Sequence, residues 1–208
     1  MHKIFIPGTA GDYESVCEGK SSGGIIIYGE KTIIIDPGIG FIVKSGLKKA
    51  DLILISDNDL LYSNDTNALI KTFNAKICDN NYDNIKKIQN SFKIMTQKYI
   101  LGYINNLKLT KSFAEEFKDT NILVLRCETI TVDDMINLIE YINPELTILT
   151  GFKKNIDPIE YTRNLKKELQ KYKKENIKTQ IVAAKEQMTI NPESYNIKLK
   201  QKSLKGFI

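Results

Sequence analysis

Imidazole is almost missing from this sequence: among its 208 residues, His2 is the single histidine. A serine nucleophile needs a nearby base, and Ser21 and Ser22 have none in their stretch of chain, so Ser–His catalysis is set aside. His2 itself reads as a surface or strand-start residue. Cysteine is equally sparse. Cys17, Cys78 and Cys127 are odd in number, widely spaced and free of CxxC or CxxH patterns. That excludes a disulfide framework and a thiolate zinc site. Cys78 and Cys127 each end an apolar run and read as buried thiols. No apolar run approaches the ~20 residues of a membrane span, and the first residues make too short an apolar stretch for a secretory signal. The expectation is a cytoplasmic protein with no membrane partner. Linkers rich in Pro, Gly or Ser are absent, as are internal repeats. One domain over 1–208 is expected, with its core in about 1–190 and a basic tail at 191–208.

What is present is ordinary for a globular chain, with 42% hydrophobic and 26% charged residues. The net charge of +5 is uneven. Residues 150–208 hold thirteen lysines and one arginine against six acids, or +8, leaving −3 for the first 149. A Lys-rich end can attract polyanions, but a solvated face is the plainer reading. The tyrosines and phenylalanines are scattered, without the aromatic–basic stripe of a single-strand binder. Gly8, Gly11, Gly23 and Gly24 lack the spacing of a phosphate-cradling loop and read as turn residues.

The apolar pattern predicts strands at Lys3–Ile6, Gly24–Tyr28 and Lys31–Ile35, the last two joined by a tight turn at Gly29-Glu30. Further strands are expected at Asp51–Ile55, Ala75–Cys78, Ile122–Arg126, Leu146–Thr150 and Ile181–Ala184, with one or two within Ile94–Tyr103. The Gly24–Tyr28 and Lys31–Ile35 runs are apolar throughout rather than alternating, which implies cover on both faces. Helices are predicted at about Asn64–Phe73, at Ser112–Phe117, after the Thr131 cap, and from Asp157-Pro158 to about Lys174. In the last, Ile159, Leu165, Leu169 and Tyr172 are expected to face inward. Strand pairs come first and βα alternation follows, a pattern of α/β class with mixed sheets.

The order of these segments resembles the metallo-β-lactamase superfamily, in particular its small hydrolase-like branch. Ser22-Gly23-Gly24-Ile25 and Ile33-Ile34-Ile35-Asp36-Pro37-Gly38 are similar to the family's hairpin ending in Asp-x-Gly. Ala50–Ser56 resembles the strand that leads into the metal loop. Leu101–Asn106 resembles the segment that bears a bridging aspartate, Asn143–Phe152 the stretch with the last histidine, and Val182–Met188 the closing segment. The resemblance implies an αββα sandwich of two mixed sheets flanked by helices.

It also implies a site, and there the sequence departs from the family. The H-x-H-x-D-H motif falls on Asp57-Asn58-Asp59-Leu60-Leu61-Tyr62. The bridging aspartate falls on Asn106 and the final histidine on Gly151, while the middle histidine has no counterpart. Leu61 and Gly151 offer no donor, Asn106 has no charge, and an unperturbed phenol such as Tyr62 ionises only near pH ~10. The expectation is a fold that has lost its dinuclear zinc centre: a pseudoenzyme without a cofactor, acting as a binding or scaffold protein. It would pair with itself or a homologue, or bind a small anionic ligand in a cleft of Asp36, Asp57, Asp59, Tyr62 and Asn106. One alternative is a Mg²⁺- or Mn²⁺-dependent hydrolase of phosphodiesters or nucleotides, using Asp57 and Asp59. Against it stands the ordinary role of Asp/Asn loops in satisfying turn donors after strands. A nucleic-acid-binding module using the basic C-terminal region is the third reading.

Overall fold

Buried isoleucines and leucines on neighbouring strands sort into three apolar layers, and the layers define the architecture of the computed structural model. The structure describes residues 2–78, 81–105, 110–171 and 179–195. In chain order the elements are β1 (Lys3–Ile6), α1 (Tyr13–Cys17), β2 (Ile25–Tyr28), β3 (Ile33–Ile35), α2 (Phe41–Ser45) and β4 (Leu52–Leu54). Next come α3 (Leu60–Ser63), α4 (Thr66–Phe73), β5 (Lys76–Ile77), β6 (Ile85–Ile88), β7 (Ser91–Met95) and β8 (Ile100–Ile104). The rest are α5 (Lys111–Glu116), β9 (Ile122–Arg126), α6 (Val132–Ile142), β10 (Leu146–Thr150), α7 (Pro158–Lys171), β11 (Gln180–Ala183) and β12 (Met188–Ile190). Pro192–Tyr195 forms a single 3₁₀ turn.

Two six-stranded sheets result, ordered β12-β1-β2-β3-β4-β5 and β11-β10-β9-β8-β7-β6. In the first, β3, β4 and β5 run parallel, and β1, β2 and β12 pair antiparallel. In the second, β8 to β11 run parallel, and β6 and β7 form an antiparallel hairpin against them. Successive side chains of a strand point to opposite faces. Accordingly Ile25, Ile27, Ile35, Leu52 and Leu54 meet Phe92, Ile94, Leu101, Ile122, Val124 and Ile148 between the sheets. The intervening Ile26, Ile34 and Ile53 turn outward onto Phe41 of α2 and Leu69 of α4. On the far side Leu123, Leu125 and Leu149 pack against Phe113 and Phe117 and against α6 and α7. Helix, sheet, sheet, helix is the layering that runs of apolar residues covered on both faces require.

Local signals placed several elements. Thr131 caps α6 by accepting from the Asp134 amide at 3.2 Å, and Met135, Leu138, Ile139 and Ile142 are all buried. Asp157 accepts from the Ile159 and Glu160 amides at the start of α7. Ile159, however, is 60% exposed rather than inward, while Leu165 and Leu169 are buried. The buried stripe of α7 begins only at Thr162 and continues through Leu165 and Leu169. The turn between β2 and β3 is wider than expected, because pairing ends at Ile27↔Ile33 and leaves Tyr28 to Thr32 unpaired. The helix predicted over Asn64–Phe73 is α4, and a further short helix, α3, precedes it with Asp59 as its cap. The expected ends at Tyr172–Lys174 and beyond Tyr195 lie outside the described residues.

β5 has two residues, both exposed, and β6 carries Lys86 and Lys87. No helix among the described residues is long and apolar enough to cross a membrane.

Candidate functional site at the strand ends

β3, β4, β8, β9 and β10 all release their chains at one end of the sandwich, where the residues that follow them converge. Asp36 leaves β3 with a left-handed backbone, φ 52°. It is fully buried. Its carboxylate accepts three hydrogen bonds: from the Ser56 amide at 2.7 Å, the Ser56 hydroxyl at 2.6 Å and the Tyr103 hydroxyl at 2.6 Å. Ser56 Oγ in turn accepts from Asn105 Nδ2 at 2.8 Å, and Asn105 Oδ1 accepts from Thr129 Oγ1 at 3.2 Å. Asp36 and Ser56 belong to the first sheet, Tyr103, Asn105 and Thr129 to the second. A continuous polar chain therefore stitches the two sheets together. Burial raises the Asp36 carboxyl above the ordinary range, opposed by the Ser56 and Tyr103 bonds and by Arg126. Burial likewise raises the Tyr103 phenol.

Arg126 is the last residue of β9 and keeps the inward register of Ile122 and Val124. Its side chain is fully buried, and it pairs with Glu128, whose side chain is 5% exposed. Arg126 Nε donates to Glu128 Oε1 at 2.5 Å, and the Tyr62 hydroxyl donates to the same oxygen at 3.2 Å. The guanidinium carbon lies 4.8 Å from the centre of the Tyr62 ring, so the cation also rests on an aromatic face. Burial raises the Glu128 carboxyl, with Arg126 pulling it back. Burial drives the Tyr62 phenol well up, which Arg126 opposes and Glu128 and Asp36 reinforce. Burial works against the Arg126 charge, yet Glu128, Tyr103, Tyr62 and Asp36 together hold it firmly protonated.

Gly151, just past β10, has φ 68°. A Cβ built there would lie 1.7 Å from Glu128 Oε2. The carboxylate thus fills the volume that a side chain at position 151 would need.

The loop after β4 is arranged differently from a metal loop. Asp57 Oδ1 accepts from the Asp59 amide at 2.9 Å. Asp59 Oδ1 caps α3 through the Leu61 amide at 2.9 Å and accepts from the Tyr13 hydroxyl at 2.7 Å. Both carboxylates do the turn and capping work that Asp residues do after strands. Leu61 is buried, with its carbonyl against Gly38. Asn106 lies outside the described residues. Of the expected cleft residues, the structure brings Asp36 and Tyr62 into one buried network and leaves Asp57 and Asp59 on its rim. Arg126, Glu128, Tyr103, Ser56, Asn105 and Thr129 were not singled out from the sequence. Only Arg126 left a sequence signal: a charge in register with inward Ile122 and Val124 must find a partner.

No family model and no curated protein matches the sequence. Among solved structures, the metallo-β-lactamase fold protein YhfI from Bacillus subtilis superposes with a TM-score of 0.71. The match covers 91% of this chain and 98% of that one, at 12% identity. This chain has the metallo-β-lactamase fold. Igni18, a metallo hydrolase from the hyperthermophilic archaeon Ignicoccus hospitalis, superposes at a TM-score of 0.63 and 12% identity, covering 91% and 97%. A diphosphatase from the PhnP family follows at 0.58 and 14%, covering 92% and 98%.

The resemblance puts the metal-motif positions 57–62 and 151 at this strand-end cleft. Here these positions supply two carboxylates engaged in capping, a leucine, a protonated phenol and a glycine. Among the described residues no group of three or more His, Cys, Asp or Glu is placed to hold a metal ion. Beside them sits a permanent guanidinium charge, which repels a second cation. That donor set does not fit a dinuclear zinc centre.

Proposed function

We propose that this chain is a non-catalytic protein on the metallo-β-lactamase fold, a binding or scaffold protein that holds no dinuclear metal. One observation carries the reading: the side chains at the motif positions are aliphatic, absent, protonated or already used by the backbone. Zinc hydrolysis needs donors that grip the ion and leave a water on it, and neither Leu61 nor Gly151 can donate. The buried polar chain from Asp36 to Thr129 supports a static role, since both sheets are tied where a reacting centre would need open coordination. Purification with added Zn²⁺ and Mn²⁺, followed by dialysis and elemental analysis, tests the reading. Metal well below one ion per chain is expected, and near-stoichiometric metal would overturn it.

Two of the solved neighbours support a second reading, since Igni18 is named a metallo hydrolase and the PhnP-family protein a diphosphatase. In it, Asp57 and Asp59 on the loop after β4 hold a Mg²⁺ or Mn²⁺ ion for phosphodiester or nucleotide hydrolysis. It requires Mn²⁺-dependent turnover of a phosphodiester such as bis(p-nitrophenyl) phosphate, lost in Asp57→Ala and in Asp59→Ala. Turnover that survives both substitutions, or that never appears, rules this second reading out.

A further inference from the structure

We propose that the Arg126–Glu128 pair is this chain's own replacement for a metal centre. The guanidinium is the resident cation at which the strand ends of both sheets converge. The inference rests on the reading above, that no dinuclear metal is held in the cleft.

A fully buried guanidinium is costly unless anions answer it. Arg126 has that answer from two sides. Glu128 pairs with it directly, and Asp36 of the opposite sheet interacts with it electrostatically. Tyr62, from the loop where a metal motif would lie, adds its ring face and anchors Glu128 through its hydroxyl. The residues that contact the cation or feel its charge thus come from β3, from the α3 loop, from β8 and from the turn after β9. Two of the metal-motif positions, Tyr62 and Gly151, border this pair directly.

Steric exclusion points the same way. Glu128 Oε2 sits where a Cβ of residue 151 would be, so a side chain at 151 and this carboxylate cannot coexist. Position 151 gives up its side chain, and a carboxylate two residues beyond β9 takes the volume. Among the described residues Glu128 Oε2 and both terminal nitrogens of Arg126 have no hydrogen-bond partner, although Nη2 forms the ion pair with Glu128. The pair is therefore held by charge and by the Tyr62 face more than by saturated hydrogen bonding.

If the guanidinium serves as a cation, its removal should leave an anionic pocket that accepts a real one. Thermal unfolding of wild type, Arg126→Ala and Arg126→Lys, each with and without millimolar MnCl₂, tests this. Arg126→Ala should melt on the order of 10 °C lower, as expected when one partner of a buried pair is removed. Mn²⁺ should raise the melting point of Arg126→Ala by several degrees while leaving wild type unmoved, as ligand linkage requires. Arg126→Lys keeps the charge but loses the planar fork and the stacking on Tyr62, so it should melt between wild type and Arg126→Ala and ignore Mn²⁺. The proposal fails if Arg126→Ala melts like wild type, if Mn²⁺ does not shift it, or if Arg126→Lys loses as much as the alanine variant. Should Arg126→Ala not fold, Arg126→Lys decides alone: a folded protein whose melting point ignores Mn²⁺ supports the proposal, and an unfolded protein or one that Mn²⁺ stabilises overturns it. Stoichiometric metal in wild type would instead sink the non-catalytic reading, whatever the variants do.

Discussion

Gly151→Ala would place a methyl group 1.7 Å from Glu128 Oε2, on a backbone with φ 68°. The left-handed conformation costs an alanine about 1–2 kcal/mol and the overlap about 1–3 more, so a loss of about 3 kcal/mol in urea unfolding is expected. Gly19 supplies the control. It is also left-handed, at φ 88°, but a Cβ there meets nothing within 4 Å. Gly19→Ala should therefore lose only the backbone share, about 1 kcal/mol. Equal losses at the two sites would mean that the Glu128 carboxylate does not occupy the position-151 volume. A second residue-scale effect is set by Asp51, which accepts from the Thr32 amide at 2.7 Å and pairs with Lys49 at 3.0 Å. Burial pushes its pKa up, but these two partners outweigh it and hold the carboxyl below its ordinary 3.8. A depressed folded-state pKa stabilises fully above the unfolded value, and that benefit disappears as the pH falls through the folded one. Asp51→Asn should accordingly be less stable than wild type near neutrality and converge with it once the pH has fallen through the depressed carboxyl value, as urea midpoints across the range would show. A constant gap at every pH would exclude the carboxylate charge as the cause.

At the scale of elements, α7 offers a clean contrast. Leu165 is buried against the second sheet and Ile159 is 60% exposed one turn and a half earlier. Leu165→Ala should cost about 2–4 kcal/mol, and Ile159→Ala no more than about 0.5. A comparable loss at Ile159 would show that the helix start packs against something. Elements with strong periodicity and a capping residue, α6 above all, were legible in the sequence. So were the isoleucine-rich strands, whose apolar runs leave no exposed face. The five-residue helices α1 and α2 were not, because each offers about one turn, too short for a period to register. The β6–β7 hairpin also escaped, since its Lys86, Lys87 and Lys93 hide the alternation of Ile85, Phe92 and Ile94. In the site, Asp36 and Tyr62 were found through the family's motif order. Glu128 was not, because its partnership with Arg126 and Gly151 exists only once β9 and β10 lie side by side.

Over the whole molecule, the central apolar layer draws Ile4, Ile25 and Leu54 from one sheet and Phe92, Val124 and Ile148 from the other. Neither sheet can keep its inner face dry without its neighbour. Far-ultraviolet circular dichroism and tyrosine fluorescence should therefore report one coincident unfolding transition in urea. Separated midpoints would reveal two independent halves. The rims of the sandwich have a consequence of their own. A rim strand with free amides invites another chain to dock alongside it and propagate into fibres. Here one rim ends in the two-residue β5 and another carries charged Lys86, paired with Glu116, and Lys87 on its two faces, so an incoming strand meets too few amides or charges that it would have to cover. Concentrated stocks should stay clear and thioflavin-negative on storage, and replacing both lysines with isoleucine should be what makes them gel.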